Sequence, residues 1–177
     1  MMTTQQKVKN AIRDIPDFPK EGIVFKDITP ILQDADLCEE IVELIKQSVS
    51  HLNIEGVAGI ESRGFLLGVP LALALNVPFI LIRKKGKLPY KTVSYKYDLE
   101  YGSAEIEMHI DAVKPNQNIL LHDDLLATGG SASAACELLK IQGANIATIN
   151  FLVDLTFLNG KKAIQKYTNN ITSIVSY

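Results

Sequence analysis

The chain has 177 residues, enough for one domain with a proper core and with little room for two. Its composition is that of an ordinary globular protein, 47% hydrophobic and 21% charged. A net charge of −2 and a pI near 5.9 exclude a general field for nucleic acid, so any anion must be held by local groups.

The polar start, residues 1–10, lacks the apolar stretch of a secretory signal. The first periodic element is a helix over 36–51: Asp36 can cap it, and Leu37, Ile41, Leu44, Ile45 and Val49 share one face. A short apolar strand follows at 57–60. Residues 64–82 carry no charge and are about long enough to cross a bilayer. Pro70, Asn76 and Pro78 divide that stretch, so it reads as a buried helix over 64–75 and a buried strand over 79–83, with no membrane span. The polar segment 84–102 holds four of the six tyrosines, Tyr90, Tyr95, Tyr97 and Tyr101. Strands are expected at 105–110, 119–122 and 146–153, and a helix at 130–141. Two cysteines, Cys38 and Cys136, make no disulfide framework and fit a reduced, cytoplasmic setting. Alternating strands and helices predict an α/β fold, a parallel twisted sheet flanked by helices, over the whole of 1–177. Ligands of such sheets bind at the carboxyl ends of strands, beside the following helix.

The most informative run is 118–131, where the strand Ile119-Leu120-Leu121-His122 ends in Asp123-Asp124 and Leu125-Leu126-Ala127-Thr128-Gly129-Gly130-Ser131 opens a helix. Glycines let backbone N–H groups turn toward a ligand, and the helix N-terminus adds its positive end, so the loop suits a phosphate. The hydroxyls of Thr128 and Ser131 add donors. Two carboxylates cannot hold that same phosphate; they suit a diol or a hard cation such as Mg²⁺ one sugar length away. Together these describe a ribose 5-phosphate. The bland alternative, acids and glycines that merely close a turn, needs one acid and leaves two in mutual repulsion. No Lys follows the glycines, so this is not a Walker loop. His122 is taken as a packed strand histidine and not a ligand.

This run resembles the phosphoribosyl pyrophosphate motif of the type I phosphoribosyltransferases. Further blocks are similar to the adenine-using branch of that family: Phe25-Lys26-Asp27-Ile28-Thr29-Pro30, Glu61-Ser62-Arg63-Gly64, Arg83-Lys84-Lys85-Gly86-Lys87-Leu88-Pro89, Leu99-Glu100-Tyr101-Gly102 and Leu155-Thr156-Phe157-Leu158-Asn159-Gly160. The resemblance implies a reaction of adenine with phosphoribosyl pyrophosphate to AMP and pyrophosphate, in a cytoplasmic homodimer. It also implies Mg²⁺ held mainly through the substrate, with Asp123 and Asp124 nearby. By the same resemblance Asp123, Asp124, Ala127, Thr128, Gly129, Gly130 and Ser131 bind the ribose and its phosphate. Ser62, Arg63, Arg83, Lys84 and Lys87 meet the pyrophosphate, with a non-proline cis peptide in the first of those loops. Residues 1–34 form a small hood in which Val24, Phe25 and Lys26 read the base, with Leu125 on its other face. Residues 84–105 are a mobile lid, in which Glu100 meets N7 of adenine and Tyr101 reaches a phosphate or the sugar.

From the residues alone the bland alternatives are an Arg63–Glu61 surface pair, a solvated basic turn at 83–87, a core Phe25, and edge-strand packing for Tyr95 and Tyr97. Two other functions remain open at this point. One is the same chemistry on a 6-oxopurine base, and the other a regulator that senses phosphoribosyl pyrophosphate without catalysis.

Overall fold

In a computed structural model that describes residues 2–98 and 103–177, the chain folds around a seven-stranded sheet. In chain order the elements are α1 (Thr4–Ala11), β1 (Arg13–Pro16), β2 (Val24–Asp27), α2 (Thr29–Leu32), α3 (Ala35–Ser48), β3 (Gly56–Ile60), α4 (Gly64–Leu75) and β4 (Phe79–Lys84). They continue with β5 (Thr92–Asp98), β6 (Ser103–His109), β7 (Asn118–Leu126), α5 (Gly130–Ile141), β8 (Asn145–Asp154), α6 (Gly160–Ile164) and β9 (Ile171–Ser176). The sheet order is β5-β6-β4-β3-β7-β8-β9, and β1 and β2 form a separate hairpin. Strands β4, β3, β7, β8 and β9 run parallel, while β6 and β5 extend one edge antiparallel.

Period-two alternation assigns each central strand to two cores. Val57, Leu120 and Leu152 face α1, α3 and α4 with Ile41, Ile45, Leu67 and Leu71. Ala58, Ile60, Ile119, Leu121 and Phe151 face α5 and α6 with Ala135, Leu138, Leu139 and Ile164. Burying both faces this way is what makes the parallel strands read as continuous apolar runs. Cys136 lies in the second core and Cys38 packs against the first, so the sheet separates the two thiols.

Several expected boundaries shift. Helix α3 is capped by Asp34, whose side chain accepts from the Leu37 N–H at 3.0 Å, and Asp36 falls in the first turn. Strand β7 does not stop at His122 but runs on to Leu126, so the acidic pair lies within the strand. The polar segment after β4 contains β5, paired with β6 from Thr92↔His109 to Asp98↔Ser103. Val93, Tyr95 and Tyr97 pack from β5 onto the core, the edge-strand role weighed for those tyrosines. Among the described residues no helix is long and apolar enough to cross a membrane.

Candidate active site

The carboxyl ends of β3 and β7 meet at a cleft of about 460 Å³ lined by 60–63 and 123–132. One wall is the turn from β3 into α4, with a cis peptide between Glu61 and Ser62. The other is the end of β7 and the turn into α5. Gly64 lets the walls touch: a Cβ there would lie 2.9 Å from Asp123 Oδ1 and from the His122 carbonyl. Gly129 is the N-cap of α5 at φ 86°, a left-handed conformation strained for any other side chain. No side chain caps that helix, so its first N–H groups face the cleft for a ligand.

The acids hold each other and an arginine. Asp123 Oδ1 accepts from the Asp124 N–H at 2.9 Å, and Arg63 Nε lies 2.7 Å from Asp124 Oδ2. Arg63 therefore pairs with Asp124 and not with Glu61. Removal from water raises the Asp123 carboxyl well above its ordinary value, and the Asp124 charge adds to this. Burial raises Asp124 as well, against the pull of Arg63. His122 is fully buried, its Nδ1 3.0 Å from Asn150 Oδ1, and burial drops it to about 4, so it stays neutral in the strand.

The donor set fits a shared metal only. Among the described residues no three ligating side chains converge, and Asp124 Oδ2 is buried without an aligned hydrogen bond. Two hard carboxylates can supply part of an oxygen shell, and an ion such as Mg²⁺ would need its remaining oxygens from other groups and water.

A second hollow of about 340 Å³ shares Ile60, Glu61 and Ser131 with the cleft and continues to Arg83, Lys84 and Tyr97. Glu61, to which no function was assigned from sequence, organises the start of the basic turn. Its Oε1 takes Arg83 Nη2 at 2.7 Å and its Oε2 the Lys84 N–H at 3.0 Å. The Arg83 bond holds Glu61 below the usual carboxylate range. Lys85 is tied to Glu105 at 2.7 Å, whereas Lys84 and Lys87 form no ion pair among the described residues. Tyr97 OH lies 3.3 Å from Ser131 Oγ, linking β5 to the start of α5; the only sign of it in the sequence is the tyrosine-rich run.

At the hairpin, Ile15 pairs with Phe25, and Phe18 meets Phe25 edge-on at 5.2 Å. The Arg63 guanidinium sits 5.3 Å from the Phe25 ring centre, which connects the hairpin to the cleft. Val24 is exposed. Lys26 turns its ammonium to Asp14 at 2.6 Å and over the Tyr177 ring at 3.8 Å. Leu125 lines the cleft beside Asp124. Glu100 and Tyr101 lie outside the described residues. The Leu155 N–H donates to the Leu126 carbonyl and Gly160 packs against Ala127, so the 155–160 block backs the phosphate loop.

A mostly parallel sheet whose acid-tipped strand feeds a glycine-opened helix, facing an arginine-bearing turn, defines a phosphoribosyltransferase. The phosphoribosyl transferase domain model matches residues 27–176. An adenine phosphoribosyltransferase of Agathobacter rectalis is 49% identical over 170 residues, 96% of this chain and 97% of that one. The crystal structure of adenine phosphoribosyltransferase from Thermoanaerobacter pseudethanolicus matches with a TM-score of 0.94 at 44% identity, over 98% of this chain and 99% of that one. The Saccharomyces cerevisiae enzyme, complexed with D-2,5-dideoxy-2,5-imino-altritol 1,6-bisphosphate and adenine, matches at 0.91 and 36% identity, over 97% and 98%. The chain belongs to the adenine phosphoribosyltransferase family.

Proposed function

We propose that the chain transfers the phosphoribosyl group of phosphoribosyl pyrophosphate to N9 of adenine, giving AMP and pyrophosphate, a step of purine salvage. The observation that carries this is the acidic pair of β7, set between an uncapped helix start and the Arg63 turn across one cleft. In this reading the N–H groups of 127–131 and the hydroxyls of Thr128 and Ser131 anchor the 5-phosphate. Asp123 and Asp124 accept from the ribose hydroxyls, Arg63 exchanging part of its hold on Asp124 for the substrate. Ser62, Arg63, Arg83, Lys84 and Lys87 surround the leaving pyrophosphate and stabilise charge as the glycosidic bond breaks. Val24, Phe25, Lys26 and Leu125 flank the base, and Glu100 donates to N7 under the 84–105 lid, with Tyr101 beside it. Closure excludes water from the sugar cation. Mg²⁺, carried in on the substrate with Asp123 and Asp124 nearby, would supply charge neutralisation at the pyrophosphate.

The same reading takes the chain as a cytoplasmic homodimer. Leu66, Val69 and Leu73 lie exposed along α4 as an apolar stripe suited to a second copy, and the two thiols stand apart. Sedimentation equilibrium should give twice the 19.5 kDa chain mass.

The test is AMP formation from adenine, phosphoribosyl pyrophosphate and Mg²⁺, with hypoxanthine and guanine in parallel and a metal-free control. Metal-dependent turnover of adenine alone is expected. Turnover of a 6-oxopurine instead would overturn the base assignment, and tight substrate binding without turnover would favour a sensor.

A further inference from the structure

Glu107 on β6 is only 2% exposed, although nothing in the reaction above calls on it. It stands directly opposite Arg83 in the β4–β6 ladder, so both side chains leave the same face of the sheet. Its Oε1 accepts from the backbone N–H groups of Lys87 and Leu88, both at 2.9 Å. Its Oε2 accepts from the Thr92 hydroxyl at 3.1 Å. Burial pushes this carboxyl up, but the Leu88 and Thr92 bonds, with those of Lys87 and Gly86, outweigh it and leave the group below its ordinary value. A buried charge persists only where its oxygens are satisfied, and here two donors belong to the turn between β4 and β5 and the third to the first residue of β5.

That turn is gripped from both sides. Glu107 takes the Lys87 N–H, while Arg83 Nη1 donates to the Lys87 carbonyl at 3.0 Å. Arg83 is itself fixed by Glu61 at 2.7 Å. Strand β6 owes its own place to main-chain ladders with β4 and β5, so the Glu107 side chain contributes to the turn and not to the strand. Lys87 thus has an immobilised backbone beneath a side chain that forms no ion pair among the described residues.

We propose that Glu107 is a positioning residue: it fixes the backbone of the 86–88 turn so that Lys87 is presented to the pyrophosphate group of the sugar substrate. This rests on the reading of Arg83, Lys84 and Lys87 as pyrophosphate contacts. Glu107→Gln preserves the bonding pattern, with its amide oxygen accepting from both N–H groups and its NH₂ donating to Thr92. Glu107→Leu abolishes it at similar volume.

The experiment measures the Kd of phosphoribosyl pyrophosphate with Mg²⁺ by calorimetry, alongside kcat, the KM of adenine and the melting temperature. Glu107→Leu should weaken the sugar substrate roughly tenfold while the KM of adenine stays within about twofold, and Glu107→Gln should restore most of the affinity. In a Lys87→Ala background, Glu107→Leu should add less than about threefold, since the two act through one contact. Fully multiplicative effects, or equal losses in the Gln and Leu variants, would overturn the positioning role. If Lys87→Ala leaves the Kd unchanged, the pyrophosphate reading falls and this inference with it. If Lys87→Ala weakens binding and Glu107→Leu does not, only the inference falls. Should the Leu variant melt below assay temperature, Glu107→Asp, too short to reach both N–H groups, is read against the same two outcomes.

Discussion

The two sides of the cleft are held by different means. On the β7–α5 side, position is set by buried main chain: the acids ride on a central strand paired with β3 as far as His122 and with β8 to its end, and Gly64, Gly129 and Gly160 let three backbones crowd together. On the β4–β6 side, position is set by carboxylates. Glu61 and Glu107 hold a basic turn by its N–H groups, and β5 lies on the outer edge of the sheet with only β6 beside it. Main-chain packing gives a site its shape directly, whereas on the other side the basic turn keeps its place through side-chain bonds, which a single substitution can remove. That division suits the proposed reaction, in which one end of the sugar stays anchored while the other end loses its leaving group.

If the division is right, mutations on the two sides should fail differently. The largest effect belongs to the proposed proton donor: Glu100→Leu should lower kcat by about 10²–10⁴, the range for removing a general acid, with little change in the Kd of phosphoribosyl pyrophosphate. A kcat within about twofold of the parent would remove Glu100 from the chemistry. Asp124→Asn should do the reverse and weaken phosphoribosyl pyrophosphate by roughly 10- to 100-fold, the loss of charge-assisted bonds to the ribose, and strand Arg63 without its partner. Calorimetry that finds unchanged affinity would mean that Asp124 serves only to hold Arg63.

The same contrast explains what the sequence made legible. The β7–α5 side is written locally: a buried apolar run, two acids, then glycines, all within 118–131. Helix α4 was legible to its ends because Gly64 and Asn76, the latter left-handed at φ 55°, bound an uncharged run. Strand β7 was expected four residues short because carboxylates seldom occupy a central strand; here its tip faces the cleft and can carry them. The β4–β6 side depends on partners distant in sequence. Glu61 reaches Arg83 across 22 positions and Glu107 reaches Lys87 across 20, and neither pairing leaves a local pattern. The β1–β2 hairpin was missed as structure for another reason, its strands being only four residues each and half exposed, and β9 is known only by its neighbour β8. Helix α1 did leave a signal, a capping box in which Thr3 and Gln6 bond each other's backbone, in a stretch weighed only as a secretory signal.

A smaller effect separates anchoring from stability on the main-chain side itself. Burial and the neighbouring Asp124 charge raise the Asp123 carboxyl, so the folded protein holds that proton more tightly than the unfolded chain does. Folding is therefore least penalised by this group below its ordinary value of 3.8, and stability is lost as pH rises from there through the elevated folded value. At neutral pH a buried acid beside a second carboxylate is a standing cost to folding, which the proposed ribose contact would account for. Asp123→Asn removes the charge while keeping an oxygen for the Asp124 N–H. It should raise the melting temperature at pH 7.5 by about 2–4 °C for each kcal/mol relieved, even as it weakens phosphoribosyl pyrophosphate. The margin over the parent should shrink on acidification, as the parent takes up the proton that the variant never needed. Scanning calorimetry at pH 7.5 and pH 5 checks both parts. A variant no more stable than the parent at pH 7.5, or a margin that grows toward acid, would mean that Arg63 already neutralises the pair and that the β7 tip carries no stored repulsion for the substrate to relieve.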